Sequence, residues 1–188
     1  MVQMVTTPPS KSKTQRLMEL ADLLVVTGSQ NNVRAGYSSG TPALGVGQGN
    51  VVTILDETAD VTDAAEKIAK SKTFDNATSC SSENSVIVVR SKYKEALVAL
   101  EQAGGLILDE IETQRVVNLH WQNGRMNTAL LAKDINVIID KTKLAHRSDK
   151  NTRFLILPTQ EAGPDAIVSG EKMSQFLTLY LAEDFDHA

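Results

Sequence analysis

The chain is 188 residues long, 41% hydrophobic, 4% aromatic and 22% charged, with a formal net charge of −4. That is the balance of an ordinary globular protein, long enough to bury about 70% of its unfolded surface in one domain, and it points to no nucleic-acid partner. No apolar run approaches the roughly 20 residues of a membrane helix, and no charged-then-apolar export signal opens the chain. A single cysteine, Cys80, excludes an internal disulfide, so a cytoplasmic, reducing location is expected.

From the N-terminus, Thr6-Thr7-Pro8-Pro9-Ser10 reads as a loop ending in an N-cap. A supporting surface helix follows, with Leu17, Met18 and Leu20 on its apolar side. Residues 23–26, LLVV, predict a buried strand, and the turn Thr27-Gly28-Ser29 leads into a helix over residues 30–38. A strand, a Gly/Ser turn and a helix N-terminus together form a common phosphate-holding device, because free N–H groups converge there. The full glycine fingerprint of a dinucleotide fold is lacking, so spacing alone leaves this a weak signal. Next, Gly45, Gly47 and Gly49 alternate within five residues, which suits close backbone approach more than side-chain packing. Either a domain crossover that needs sharp bends or a ligand contact accounts for it.

Residues 51–55 predict a strand, and the acidic cluster 56–60 complements the N-terminus of a helix over 61–73. No metal is expected, since nothing shows the acidic residues converging. After that helix comes the stretch on which function turns, FDNATSCSSENS at residues 74–85. Its Asn and Ser content favours turns and caps over a buried strand. A thiol in a polar loop between a helix and the strand Val86-Ile87-Val88-Val89 is placed to meet a substrate. N–H groups of the loop, or of a short helix opening at Ser81 or Ser82, would favour the thiolate and an oxyanion. The alternative is an inert, buried cysteine.

Beyond it, a helix over 93–103, a stop at Gly104-Gly105, a short segment 106–108 and a helix from about Asp109 continue the alternation, which argues for an open parallel sheet. Asn123-Gly124 signals a turn. Residues 127–135 read as helix and Val137-Ile138-Ile139 as strand. His120, His146 and His187 lack metal spacing and read as surface or capping residues. The basic run Lys141, Lys143, Arg147, Lys150 and Arg153 reads as a solvated face, with a contact to the phosphates of a ligand as the second account. Strands are expected at 154–157 and 176–181, with a loop at 161–165 between them.

Taken together, VVTGSQNNVRAGYSSG at 25–40, GTPALGVGQGNVVTILDETAD at 40–60, FDNATSCSSENSVIVV at 74–89 and SGEKMSQFLTLY at 169–180 resemble the CoA-acylating branch of the aldehyde dehydrogenase superfamily, in that family's order and spacing. The resemblance implies an α/β fold, an open mainly parallel sheet flanked by helices. It also implies a cofactor-domain remnant over residues 1–50 and an incomplete thiol domain over residues 51–188. Most of the cofactor domain would precede this segment, and an oligomerisation strand would follow it, giving a homo-oligomer at full length. It makes Cys80 the nucleophile. Thr27, Gly28 and Ser29, with Gly47 and Gly49, would face NAD or NADP, and Glu171 the nicotinamide ribose. The ribose role competes with an exposed loop charge.

Hydrolytic relatives carry a glutamate in the glycine segment as general base for water, whereas this chain has Gly47-Gln48-Gly49. Without that base, the thiol of coenzyme A becomes the natural acyl acceptor for a small aldehyde substrate. The resemblance of the motifs implies sulfoacetaldehyde as that aldehyde. A hydrolytic dehydrogenase and a silent fragment or binding module of the same fold remain the competing readings. Gln175 departs from the family, which shows proline there.

Overall fold

The computed structural model describes residues 4–188, so the first three residues of the expected cofactor-domain span lie outside the described residues. The chain divides into two compact units, one ending at Gln48 and the other beginning at Gly49.

In the first unit, the Ser10 side chain accepts from the backbone N–H of Lys13 and so starts α1 (Lys11–Leu20). Then follow β1 (Leu24–Thr27), α2 (Gln30–Tyr37) and β2 (Ala43–Val46). β1 and β2 pair in parallel, Leu24 opposite Ala43 through Thr27 opposite Val46. The helix fits closely on this ribbon because two glycines carry no Cβ: one built on Gly36 would stand 2.8 Å from Val26, and one on Gly45 would stand 2.6 Å from Val33. β1 was expected to be buried throughout. The structure corrects this, because a two-stranded ribbon covered on one face buries Leu24 but leaves Val25 72% exposed.

The second unit is built on one five-stranded sheet in the order β3 (Val51–Leu55), β4 (Glu83–Val89), β9 (Phe176–Ala182), β8 (Phe154–Pro158), β5 (Gly105–Ile107), with every pair parallel. On one face lie α3 (Val61–Thr73) and α4 (Tyr93–Gln102), which pack Val61, Ala65, Ile68, Ala96 and Leu100 on Phe154, Ile156, Leu177 and Leu179. On the other lie α5 (Glu110–His120) and α6 (Ile135–Thr142), which set Val116 and Ile138, with Leu144 just beyond α6, against Leu155, Leu157 and Phe176. Successive residues of β8 thus serve opposite layers, which is why it reads as an unbroken apolar run. Each such side chain contributes about 1.5–3 kcal/mol by leaving water.

Local signals start the helices. Asp60 accepts from the Asp63 amide to cap α3. Asp109 and Glu112 form a capping box on α5. Between α5 and α6 a short hairpin, β6 (Trp121–Gln122) and β7 (Arg125–Met126), turns through Asn123 and Gly124, at φ of 52° and 70°. This two-residue left-handed turn is what an Asn-Gly pair favours.

Residues 127–139 depart from expectation. No helix spans 127–135, and Val137-Ile138-Ile139 is helical instead of extended. Asp134 caps a helix through the Asn136 amide, and Ile138 and Ile139 fall on the face turned to the core. Packing of that stripe overrides the β-branched preference for strand.

Candidate active site

Within the second unit three segments converge at the amino ends of the adjacent strands β3, β4 and β9: Gly49-Asn50, the thiol loop, and residues 170–175. The thiol loop begins where α3 gives way to a 3₁₀ turn (Phe74–Ala77), then runs through residues 78–82 into β4. No helix opens at Ser81 or Ser82. Instead the Ser82 N–H donates to the Ser79 carbonyl at 3.0 Å, and β4 starts at Glu83, ahead of the apolar run, because the two-sided pairing of β4 reaches into its polar residues. Cys80 is exposed, with a free thiol. Gly49 lies against it: a Cβ at Gly49 would stand 2.8 Å from the Cys80 carbonyl oxygen and 3.6 Å from Cys80 Cβ. The glycine is therefore required by close approach of two backbones, one carrying the thiol.

Beneath this loop sits a polar layer that sequence reasoning missed. Lys72, in the last turn of α3, is fully buried and donates through Nζ to the Glu83 carbonyl at 2.9 Å. Lys172 is likewise fully buried and donates through Nζ to the carbonyls of Asn84 and Gly170, both at 2.9 Å. The Asn84 carbonyl is available because the β3–β4 register skips from Val51 opposite Glu83 to Val52 opposite Ser85, leaving Asn84 in a bulge. Asn84 Oδ1 also accepts from the Lys172 amide. Burial pushes Lys72 down to about 7, against the opposing charges of Glu83 and Glu171. Burial together with the neighbouring Lys72 charge pushes Lys172 down to about 6. The signal for Lys72 was present, since it continues the buried spacing of Val61, Ala65, Ile68 and Ala69.

His120 corrects another expectation. It is fully buried, not at the surface: its Nε2–H donates to the Lys172 carbonyl at 2.9 Å, and the ring meets Trp121 and Phe176 edge-on. Burial holds it well below its usual range, at about 4, so it is neutral. His146 and His187 are exposed, as is the basic run 141–153, in which Arg147 pairs with the buried Glu112. Among the described residues no cluster of His, Cys, Asp and Glu is arranged to hold a metal.

Glu171 is half-buried beside Lys172. Gln175 is buried and donates to Asn76 Oδ1 at 3.3 Å, so the position where proline was looked for ties the β9 approach to the thiol loop. In the first unit, Thr27, Gly28 and Ser29 form the turn at the carboxyl end of β1. Gly28 has φ of 122° and donates to Val46, and Ser29 caps α2 through the Asn32 amide. Gly47 follows β2 at the same end, where a Cβ would stand 2.8 Å from Gln30 Nε2. These four residues thus share the carboxyl edge of the small ribbon, above a helix N-terminus, whereas Gly49, Cys80 and Glu171 share the amino edge of the large sheet.

No protein-family model matches the chain. It is 45% identical over 185 residues to the acylating sulfoacetaldehyde dehydrogenase of Cupriavidus necator, an alignment covering 98% of this chain and 38% of that protein. Its counterpart in Bilophila wadsworthia is 40% identical over 185 residues, covering 96% and 39%. Among solved structures, an acetylating aldehyde dehydrogenase from Geobacillus thermoglucosidasius superimposes with a TM-score of 0.89 at 33% identity, over 96% of this chain and 40% of its own. The propionaldehyde dehydrogenase of Rhodopseudomonas palustris with bound propionyl-CoA and an engineered glycolyl-CoA reductase with bound NADP+ each match at a TM-score of 0.85 and 26% identity, over 95% of this chain and 39% and 40% of theirs. The chain spans about two-fifths of the length of the relatives it matches. The α/β fold expected from its motifs is the fold of these enzymes.

Proposed function

Starting from a chain homologous, along nearly its whole length, to the acylating aldehyde dehydrogenases, we infer that it is the thiol-bearing part of an oxidoreductase that converts a small aldehyde into an acyl-CoA thioester. The observation that carries this reading is an exposed Cys80 with the backbone of Gly49 pressed against its carbonyl, in a segment, residues 43–55, that contains no carboxylate.

Cys80 as thiolate adds to the aldehyde carbon, and backbone N–H groups near Cys80 stabilise the resulting oxyanion. Loss of hydride from that carbon leaves an acyl thioester on Cys80. The sulfur of coenzyme A then attacks the thioester and releases acyl-CoA, returning the thiolate. With no carboxylate in the glycine segment to activate water, the thiol of coenzyme A is the better second nucleophile. Overall, aldehyde, coenzyme A and NAD(P)+ give acyl-CoA, NAD(P)H and one proton. The nicotinamide cofactor, when bound, supplies the hydride acceptor. The first unit fits such a group: Gly28 and Ser29 lead into the N-terminus of α2, and Gly47 lacks the Cβ that would crowd the same edge. Thr27, Gly28, Ser29, Gly47 and Gly49 would hold it, with Glu171 toward its ribose.

Sulfoacetaldehyde is the proposed aldehyde, because the two curated relatives named above carry that substrate in their names. A reducing, cytoplasmic setting suits a free, exposed thiol. The test combines the protein with sulfoacetaldehyde, NAD+ or NADP+, and coenzyme A, reading nicotinamide absorbance at 340 nm and product mass. The reading expects cofactor reduction that requires coenzyme A and yields sulfoacetyl-CoA. Reduction that proceeds without coenzyme A and yields sulfoacetate would establish the hydrolytic reaction instead, and no reduction in any mixture would favour a silent fragment.

A further inference from the structure

Just ahead of the thiol, Asp75, Asn76 and Ala77 hold φ of 47°, 52° and 61° in succession. Left-handed backbone costs an L-residue about 1–2 kcal/mol, eased for Asp and Asn by local hydrogen bonds but not for Ala. Strain of this kind persists where the surroundings over-determine it. Part of the restraint is lateral. Thr78 Oγ1 bonds to Asp75, and Asn76 bonds to Gln175 and to the Ala132 carbonyl.

The rest comes from below. Lys72 is the penultimate residue of α3, next to the point where the loop departs, and its amine grips Glu83, the β4 residue at which the loop returns. One residue on, Lys172 grips the bulged Asn84 from two directions and ties it to Gly170. We propose that Lys72 and Lys172 are positioning residues, a buried clamp that closes the base of the strained arch and thereby fixes Cys80 in place. The proposal rests on reading Cys80 as the nucleophile.

A buried apolar residue at either place would complete the packing but remove the amine donors from the carbonyls of Glu83, Asn84 and Gly170, so lysine both fills the buried position and bonds the loop base. The charged groups acting on the clamp are few. Glu83, whose Oε2 is buried without a hydrogen-bond partner, and Glu171 favour protonated Lys72, the Lys72 charge disfavours protonated Lys172, and His120 is neutral beside them. Opening the base would return both amines to water and to their ordinary basicity. The closed arch is therefore favoured further as pH rises above about 7, by up to about tenfold per pH unit for each lysine released.

Two measurements on the 188-residue chain test the clamp. In hydrogen exchange corrected for intrinsic rates, protection of the Thr78 and Ser82 amides is expected to rise at least about tenfold from pH 7 to pH 9, while the first turn of α4, which frays without either lysine, holds constant. Protection that stays flat over that interval would overturn the proposal. Second, Cys80 is the only thiol, so its alkylation by iodoacetamide is read directly by intact mass. Lys72→Met and Lys172→Met are each expected to change that rate by about threefold or more and to abolish part of the pH-dependent protection. A variant that melts cooperatively, alkylates at the parent rate and keeps the parent exchange profile would also overturn it. Should neither variant fold, the exchange profile of the unaltered chain decides. Neither readout requires turnover, so a sound clamp with no acyl transfer to Cys80 would refute the proposed function and leave the clamp standing.

Discussion

Replacing Gly49 by alanine tests how closely the glycine segment and the thiol are joined. The added Cβ would stand 2.8 Å from the Cys80 carbonyl oxygen, and the obstacle is backbone that no rotamer change moves aside. Restoring ordinary contact requires the two segments to separate by about 0.5 Å, an overpacking strain of about 1–3 kcal/mol. For a chain of this length that corresponds to a fall in melting temperature of about 3–10 °C. Part of the separation must be taken up by the thiol loop. Misplacing a reacting group by about 1 Å costs about a hundredfold in rate, so about tenfold slower acyl transfer to Cys80 is expected. Thermal melting by circular dichroism and the rate of Cys80 acylation by acyl-CoA read the two effects. Gly163→Ala is the control. Gly163 has φ of 107° with no neighbour within 4 Å of a built Cβ, so the substitution strains the backbone and leaves acylation unchanged. Gly49→Ala that melts and acylates like the parent would refute the close-approach argument.

The stability of the chain should rise with pH between about 7 and 10. Lys72 and Lys172 have folded values of about 7 and about 6, below the 10.5 of an ordinary lysine. In that interval the unfolded chain binds more protons than the folded one, so each lysine adds about 1.4 kcal/mol per pH unit, with no further change from these groups below about 6. Urea midpoints at pH 7 and pH 9 check this, and a Lys72→Met variant should show a shallower slope. Phe154→Ala should cost about 3–5 kcal/mol in urea unfolding, because Phe154 is fully buried between the sheet and the α3–α4 layer. Asp60→Ala removes the cap of α3, the helix that delivers the thiol, and should cost about 1 kcal/mol, read as a lowered urea midpoint. Arg147→Ala leaves the buried Glu112 without its charged partner and should cost about 1.5–3 kcal/mol by the same measurement at neutral pH.

The elements around the thiol were legible because each carried a local cue that the packing endorses. Ala64, Ala65, Ile68 and Ala69 mark one helical face, Asp60 marks its start, and the Asn- and Ser-rich residues 74–82 cannot join a sheet core. The parallel sheet followed from the alternation of helix and strand. What escaped was decided by contacts distant in sequence. Val137-Ile138-Ile139 is as β-branched as any strand, and becomes helix because α5 and β8 offer it an apolar wall. His120 is buried by Phe176 and Lys172, more than fifty residues away. Nothing local in the sequence marks Lys172 as buried, and only the bulge at Asn84, a property of strand register, supplies the carbonyl that lets it be buried. Lys72 was the one hidden residue with a readable signal. It occupies the next core position of the α3 stripe, where a charge is costly unless a specific partner waits.

The central claim, that Cys80 carries the acyl group, is tested most directly by incubating the chain with propionyl-CoA and weighing it intact. A single propionyl adduct mapping to Cys80, reversed by added coenzyme A and absent from Cys80→Ser, is the predicted result. Adduct of equal extent on Cys80→Ser, or a Cys80 that alkylates freely with iodoacetamide yet takes no acyl group from the thioester, would contradict it.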